Sequence, residues 1–147
     1  MLNDWLTQDS IQICDRADDW RQAVALAAAP LIAKGAISDS YVPAILRQYD
    51  AIGPYFVLAP GIAMPHARPE EGALALGLSL LLVREGVIFH SADHDPVRLI
   101  VMLSAPDGNS HIELIAQLAE LFSCDEAITA LFAARTVEEV LDIIHQY

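Results

Sequence analysis

The stretch GPYFVLAPGIAMPHARPEEG, residues 53–72, decides the fold. Gly53-Pro54 halts what precedes it, and two short strand-like runs follow, Tyr55-Phe56-Val57-Leu58 and Ile62-Ala63-Met64. Pro60-Gly61 supplies the turn between them. The second run delivers His66 into a turn bracketed by Pro65 and Pro69, so stiff backbone on both sides holds an imidazole at the end of a strand. A β-hairpin with a histidine at its exit is therefore the centre of the reading.

Working outward, the upstream sequence opens with Ile11-Gln12-Ile13-Cys14, which alternates like a short strand. Asp18 or Asp19 can cap a helix in which Trp20, Val24, Ala27, Ala28 and Leu31 recur at helical spacing. Pro30 should kink that helix or end its regular part, and Gly35 closes it. Ser38 opens a second helix with Tyr41, Ile45, Leu46 and Tyr49 on one face. Downstream, the apolar run from Leu76 to Val83 meets a Glu85-Gly86 turn signal. The run from Val97 to Ser104 is almost uninterrupted Val, Leu, Ile and Met, as in a strand covered on both faces. Ser110 can cap a helix carrying Ile112, Ile115, Leu118, Ala119 and Phe122. Ser123-Cys124-Asp125-Glu126 and Thr136-Val137-Glu138-Glu139 are capping-box patterns that announce two more short helices. The expected fold is α/β: a single mixed, mostly parallel sheet of about five strands with helices on both faces, residues 1–147 forming one domain.

Composition narrows the function. Of 147 residues 54% are hydrophobic, and 20 Asp and Glu face 8 Lys and Arg, for a formal net charge of −12. A surface this acidic repels phosphate backbones and anionic headgroups, and Lys34 is the only lysine, so nucleic-acid and membrane-surface binding are excluded as expectations. No apolar run reaches the roughly 20 residues a bilayer span needs. The N-terminus MLNDWLTQDS has neither a basic start nor an apolar signal core, and Cys14 and Cys124 are too few for a disulfide framework. A cytoplasmic location with reduced thiols is the expectation, and both thiols read as core residues.

The histidines carry the chemistry. His66 has the fixed position that a nucleophilic or phosphoryl-accepting imidazole needs, with Arg68 two residues on able to meet an anionic group; the same pattern also fits a satisfied loop histidine. His111 follows Ser110 in Pro106-Asp107-Gly108-Asn109-Ser110-His111, at a helix start where free N–H groups favour anions, though ordinary capping explains that segment equally. Both histidines come just after strands and are expected at one edge of the sheet. His90-Ser91-Ala92-Asp93-His94-Asp95 lies in a turn between strands and reads as solvated rather than as a metal cluster. His145 near the end of the last helix suits the helix dipole.

Residues 53–72 resemble the active-site segment of bacterial phosphotransferase-system enzyme IIA domains of the mannitol/fructose type, type 2. Within that family the chain looks most like the ascorbate-specific branch and its pentitol- or galactitol-associated relatives. Asp95-Pro96-Val97 and the segment ending at His111 also fall where the family has a strand start and a second histidine. The resemblance implies that phospho-HPr passes its phosphoryl group to Nε2 of His66, which hands it to a cysteine of an enzyme IIB partner. A membrane enzyme IIC then couples the relay to sugar uptake. His111 would assist by hydrogen bonding. Mannitol and fructose relatives carry an arginine where this chain has Asp50, so Arg68 or Arg47, with the helix start at Ser110, would support the phosphoryl oxygens. No metal or other cofactor is required when the donor is a phosphohistidine. Ile62, Met64 and the helix at 110–122 would form a small apolar contact patch for two successive partners. Two other readings remain: a regulatory module of the same fold, and a metal hydrolase using His66, His111 and the His90/His94 turn.

Overall fold

The computed structural model describes residues 1–147 except 108 and 110. Five strands form one sheet: β1 (Ile11–Cys14), β2 (Val57–Ala59), β3 (Ile62–Ala63), β4 (Gly77–Val87) and β5 (Val97–Ser104), in the order β1-β4-β5-β3-β2. The mixed sheet is as expected, and its four pairings divide evenly: β1 with β4 and β3 with β5 are parallel, β4 with β5 and β2 with β3 antiparallel.

Helices cover both faces. α1 (Trp20–Ala33) and α2 (Tyr41–Ile52) pack on one; α3 (Ile112–Phe122), α4 (Asp125–Ala133) and α5 (Val137–Ile144) pack on the other. The period of two sorts the strands between the two layers. Leu81, Val83, Ile100 and Met102 face the first core, while Leu80, Leu82, Leu99 and Val101 face the second. Both central strands are therefore apolar on both faces, which is why Val97–Ser104 reads as an unbroken run. Among the described residues no helix is long and apolar enough to cross a membrane.

Several local expectations are corrected. α1 runs through Pro30 to Ala33 without ending there. Proline leaves the carbonyl four residues back without its helical donor, and here the Gln12 side chain of β1 donates to that Leu26 carbonyl at 2.6 Å. Glu85-Gly86 is no turn: β4 continues to Val87, and the irregularity in its pairing between Leu82 and Val87 absorbs Gly86 at φ +82°. α2 begins at Tyr41 with Ser40, not Ser38, at its cap position. Ser123 does not cap α4; its hydroxyl donates back to the Ala119 carbonyl at 2.7 Å. Asp19 caps α1 through the Gln22 amide, and Thr136 caps α5 through the Glu139 amide.

Strand order places the site. The chain leaving β3 must reach β4, and β5 lies between them, so residues 64–76 arch over the carboxyl end of β5. Because β3 and β5 are parallel, with Ile62 beside Leu99 and Ala63 beside Ile100, the segments that follow both strands emerge at the same edge. The β2–β3 turn depends on Gly61, at φ +78°, whose amide donates to the His94 carbonyl and whose carbonyl receives the Leu99 amide. A Cβ there would lie 2.8 Å from Cζ of Phe132. Gly61→Ala is expected to cost about 1–2 kcal/mol from the left-handed backbone alone, with displacement of Phe132 added. Urea denaturation checks it, and an unchanged midpoint would show that the turn is not so constrained.

Candidate functional site

A cavity of about 340 Å³ opens at the edge where β3 and β5 end. Its wall is drawn from elements far apart in sequence. α2 contributes Tyr41, Ala44 and Gln48 from one side of the helix, the loop before β2 contributes Tyr55, and the arch contributes His66, Ala67, Arg68, Pro69 and Glu71. Leu103, Ala105, Asp107 and His111 come from the end of β5 and the segment after it. His66 and His111 thus meet in one depression, as their positions after neighbouring strands lead one to expect.

His66 is half-buried, and its Nδ1 lies 2.8 Å from the Met64 carbonyl oxygen. A carbonyl only accepts, so Nδ1 carries the proton, and in the neutral ring Nε2 keeps its lone pair. Nε2 has no hydrogen-bond partner among the described residues. The surrounding backbone is tied to neighbouring elements. The Met64 amide donates to the Phe56 carbonyl, and the Pro65 carbonyl accepts from the Leu103 amide. The Tyr55 hydroxyl donates to the His66 carbonyl at 2.6 Å, with its ring edge-on to the imidazole, centroids 5.8 Å apart. The Ala67 amide donates to the Tyr41 hydroxyl at 3.1 Å, and that hydroxyl donates to the Leu103 carbonyl at 2.7 Å.

His111 occupies the cap position of α3, half-buried, and its Nδ1 is enclosed without a hydrogen-bond partner among the described residues. Ser110, the expected cap and phosphate ligand, lies outside the described residues. Arg68 is exposed at the rim, its Nε 3.9 Å from Oε1 of Glu71, which also accepts the Arg68 amide at 3.0 Å. An ion pair this open holds the guanidinium loosely. Arg47 is exposed on α2 and does not line the cavity, so of the two arginines singled out the fold brings only Arg68 to the histidines. Asp50, also on α2, pairs with Arg21 of α1 at 3.3 Å.

The remaining histidines stand apart from the cavity. In the 88–96 loop both Asp95 carboxylate oxygens are taken up by backbone amides, Phe89 on one and Ser91 on the other. Among the described residues no group of three or more His, Cys, Asp or Glu side chains is arranged to hold a metal. His145 meets Asn3 through Nδ1 at 3.0 Å. Cys14 and Cys124 are each half-buried against one of the two cores.

Sequence reasoning passed over Gln48, took Tyr55 and Tyr41 only as strand and packing residues, and gave Glu71 no role of its own within the 53–72 segment. A signal existed for the tyrosines: a phenol on an otherwise apolar face must find a polar partner when buried. Burial, and after it the charges of Tyr41 and Glu71, push the Tyr55 phenol up to about 12. Burial pushes Tyr41 upward as well, against the hydrogen bond with Ala67.

The chain matches the family model for the EIIA type 2 component of the phosphoenolpyruvate-dependent sugar phosphotransferase system over residues 4–147. The ascorbate-specific EIIA component of Escherichia coli is 41% identical over 145 residues, covering 97% of this chain and 94% of the relative. The solution structure of the mannitol-specific cryptic phosphotransferase enzyme IIA from Escherichia coli superposes with a TM-score of 0.91 at 40% identity, covering 99% of both chains. The Escherichia coli mannitol enzyme IIA, solved in complex with phosphorylated enzyme IIB, superposes with a TM-score of 0.81 at 26% identity, covering 96% of this chain and 97% of that one.

The raised phenol has a measurable sign. Below pH 10 the Tyr55 proton stays on in both folded and unfolded chains; as pH climbs from 10 toward about 12 the unfolded chain releases it first, so stability falls across that window. Absorbance at 295 nm should show a late phenol ionising near 12 that Tyr55→Phe removes. A titration complete by pH 11 in the folded wild type would contradict the burial argument.

Proposed function

The chain belongs to the EIIA type 2 family of the phosphoenolpyruvate-dependent sugar phosphotransferase system, and from that premise we propose that His66 is its phosphoryl carrier, charged by the phosphohistidine of HPr and discharged to a cysteine of an enzyme IIB partner. The observation that carries the reading is the hydrogen bond from Nδ1 of His66 to the Met64 carbonyl. It commits the ring to the tautomer whose Nε2 lone pair is available in the cavity. In the forward step Nε2 attacks phosphorus in line, the P–N bond to the donor imidazole breaks, and the donor nitrogen takes back the electron pair. Positive charge grows on the accepting ring, and the Met64 carbonyl receives the Nδ1–H that carries it. In the second step a cysteine thiolate attacks phosphorus and the bonding pair returns to Nε2.

Three equatorial oxygens share the charge of a loose transition state, so the protein's task is placement and electrostatic support. His111, which lines the same cavity, supplies an imidazole donor. Arg68, whose guanidinium is 3.9 Å from Glu71 and exposed at the rim, can swing toward the oxygens. The Escherichia coli mannitol enzyme IIA solved with phosphorylated enzyme IIB supports a IIB partner for this chain, and a membrane enzyme IIC would receive the group beyond it. For the contact surface, Ile112 at 61% exposure, directly after His111, supports an apolar patch, whereas Ile62 at 2% is core and drops out of it.

Incubation with phosphoenolpyruvate, enzyme I and HPr should add one acid-labile, base-stable phosphoryl group, and His66→Ala should add none. A His66→Ala protein that still accepts phosphate would end the assignment. His111→Ala is expected to lower the transfer rate about 10²–10³-fold, as for a lost oxyanion donor. Rates unchanged in both directions would remove His111 from the site. If phosphate enters but never leaves for an enzyme IIB cysteine, the regulatory reading takes the place of the relay. With a net charge of −12, stopped-flow transfer from HPr should slow as salt rises; a flat response would remove electrostatic steering.

A further inference from the structure

The segment that carries His66, residues 64–68, belongs to no strand or helix. Its backbone could turn about the peptide linking His66 to Ala67 without breaking a single ladder bond. Yet in-line phosphoryl transfer is sensitive to placement, and an error on the order of 1 Å costs about 10²-fold. Something other than secondary structure must hold this peptide.

We propose that Tyr41 and Tyr55 are positioning residues for the phosphoryl acceptor, clamping the His66–Ala67 peptide group at both of its polar atoms. The inference rests on the reading of His66 as acceptor. Tyr55 donates to the carbonyl of that peptide at 2.6 Å, and Tyr41 accepts its N–H at 3.1 Å. The Tyr41 hydroxyl hydrogen continues to the Leu103 carbonyl at 2.7 Å, so the clamp is anchored on the penultimate residue of β5. Tyr41 is 1% exposed on α2, and Tyr55 stands half-buried before β2. The peptide is therefore referred to the sheet and to the helix layer at once.

Neither phenol is needed as mere filling. A phenylalanine would pack the same volume and leave the His66 carbonyl or the Ala67 amide without its partner. Tyr55 adds a second constraint, because its ring meets the imidazole edge-on at an interplanar angle of 75°. Both hydroxyls keep their protons across the working pH range, since burial raises Tyr41 and takes Tyr55 to about 12. A clamp made of neutral hydroxyls, one donating and one accepting, places the ring without adding charge beside the phosphoryl oxygens.

Tyr41→Phe and Tyr55→Phe test the clamp, with Tyr49→Phe as control. Tyr49 also donates a buried-side hydroxyl to a carbonyl, that of Phe89 at 2.6 Å, but lies outside the cavity. Two readouts are taken on the full chain: single-turnover transfer from phospho-HPr, and ¹⁵N–¹H spectra of the His66 ring in the unphosphorylated protein. Tyr55→Phe and Tyr41→Phe are expected to slow transfer about tenfold or more and to broaden or double the His66 ring signals, while Tyr49→Phe does neither. Because both hydroxyls act on one peptide, the double variant should be little worse than the worse single. If Tyr41→Phe fails to fold, Tyr55→Phe decides alone. A single sharp set of ring signals in Tyr55→Phe overturns the clamp whatever the transfer rate. Should wild-type protein accept no phosphate on His66, the carrier reading fails, and the spectra still decide whether the phenols hold the ring.

Discussion

Two residues of parallel pairing, Ile62 with Leu99 and Ala63 with Ile100, determine where the site is. β3 is too short to be stable by itself, and it exists because β5 offers an edge that is already fixed by β4 and by helices on both faces. Once that pairing forms, the carboxyl ends of β3 and β5 lie side by side, and the chain has no route to β4 except over the end of β5. The arch at 64–76 and the segment leading to His111 are consequences. Crevices beyond the carboxyl ends of strands, where connections part, are where α/β sheets commonly bind ligands.

The electrostatics of the cavity follow a similar economy. Among the described residues its charged lining is one guanidinium, Arg68, against the carboxylates of Glu71 and Asp107. On the proposed reading this modesty is functional. A site crowded with fixed cations would bind the phosphoryl group in the ground state as tightly as in the transition state, and such uniform binding deepens the well from which the next transfer must climb. A carrier is better served by a ring fixed in place and donors that strengthen as charge spreads. Arg68 fits that requirement because an exposed pair with Glu71 costs little to break.

Much of this was legible in the sequence, because local chemistry and global packing agree along most of the chain. Apolar runs with turn signals between them marked the strands, and the Pro-bracketed exit of β3 singled out His66. What failed, failed where a signal has two structural solutions. Gly86 signals a positive φ, which serves a turn and a bulge equally, and pairing with β5 selected the bulge. Ser123 has the composition of a cap, yet its hydroxyl found the carbonyl of the preceding helix first. Pro30 signalled a break that Gln12, eighteen positions earlier, repairs from a neighbouring strand. The tyrosines were invisible for the same reason: the partners of Tyr41 lie 26 and 62 residues away, and both are backbone atoms without identity in a sequence pattern.

If His66 is the carrier proposed above, the size of the cavity bears on how an open site can handle a group that water would hydrolyse. A phosphoryl group on Nε2 fills only a small part of about 340 Å³. Much of the remaining wall is apolar, from Ala44, Leu103, Ala105 and the rings of Tyr41 and Tyr55. Water in such a space makes few good hydrogen bonds and is easily displaced, so an entering side chain from a partner is favoured there over bulk solvent. On the proposed reading, docking itself would then dry the site at the moment of transfer, strengthening the interactions of His111 and Arg68 with the phosphoryl oxygens as the dielectric falls. On the proposed reading, an open depression that two different proteins reach in turn and the exclusion of water during transfer are compatible, because the partner, rather than a segment of this chain, would close the cavity.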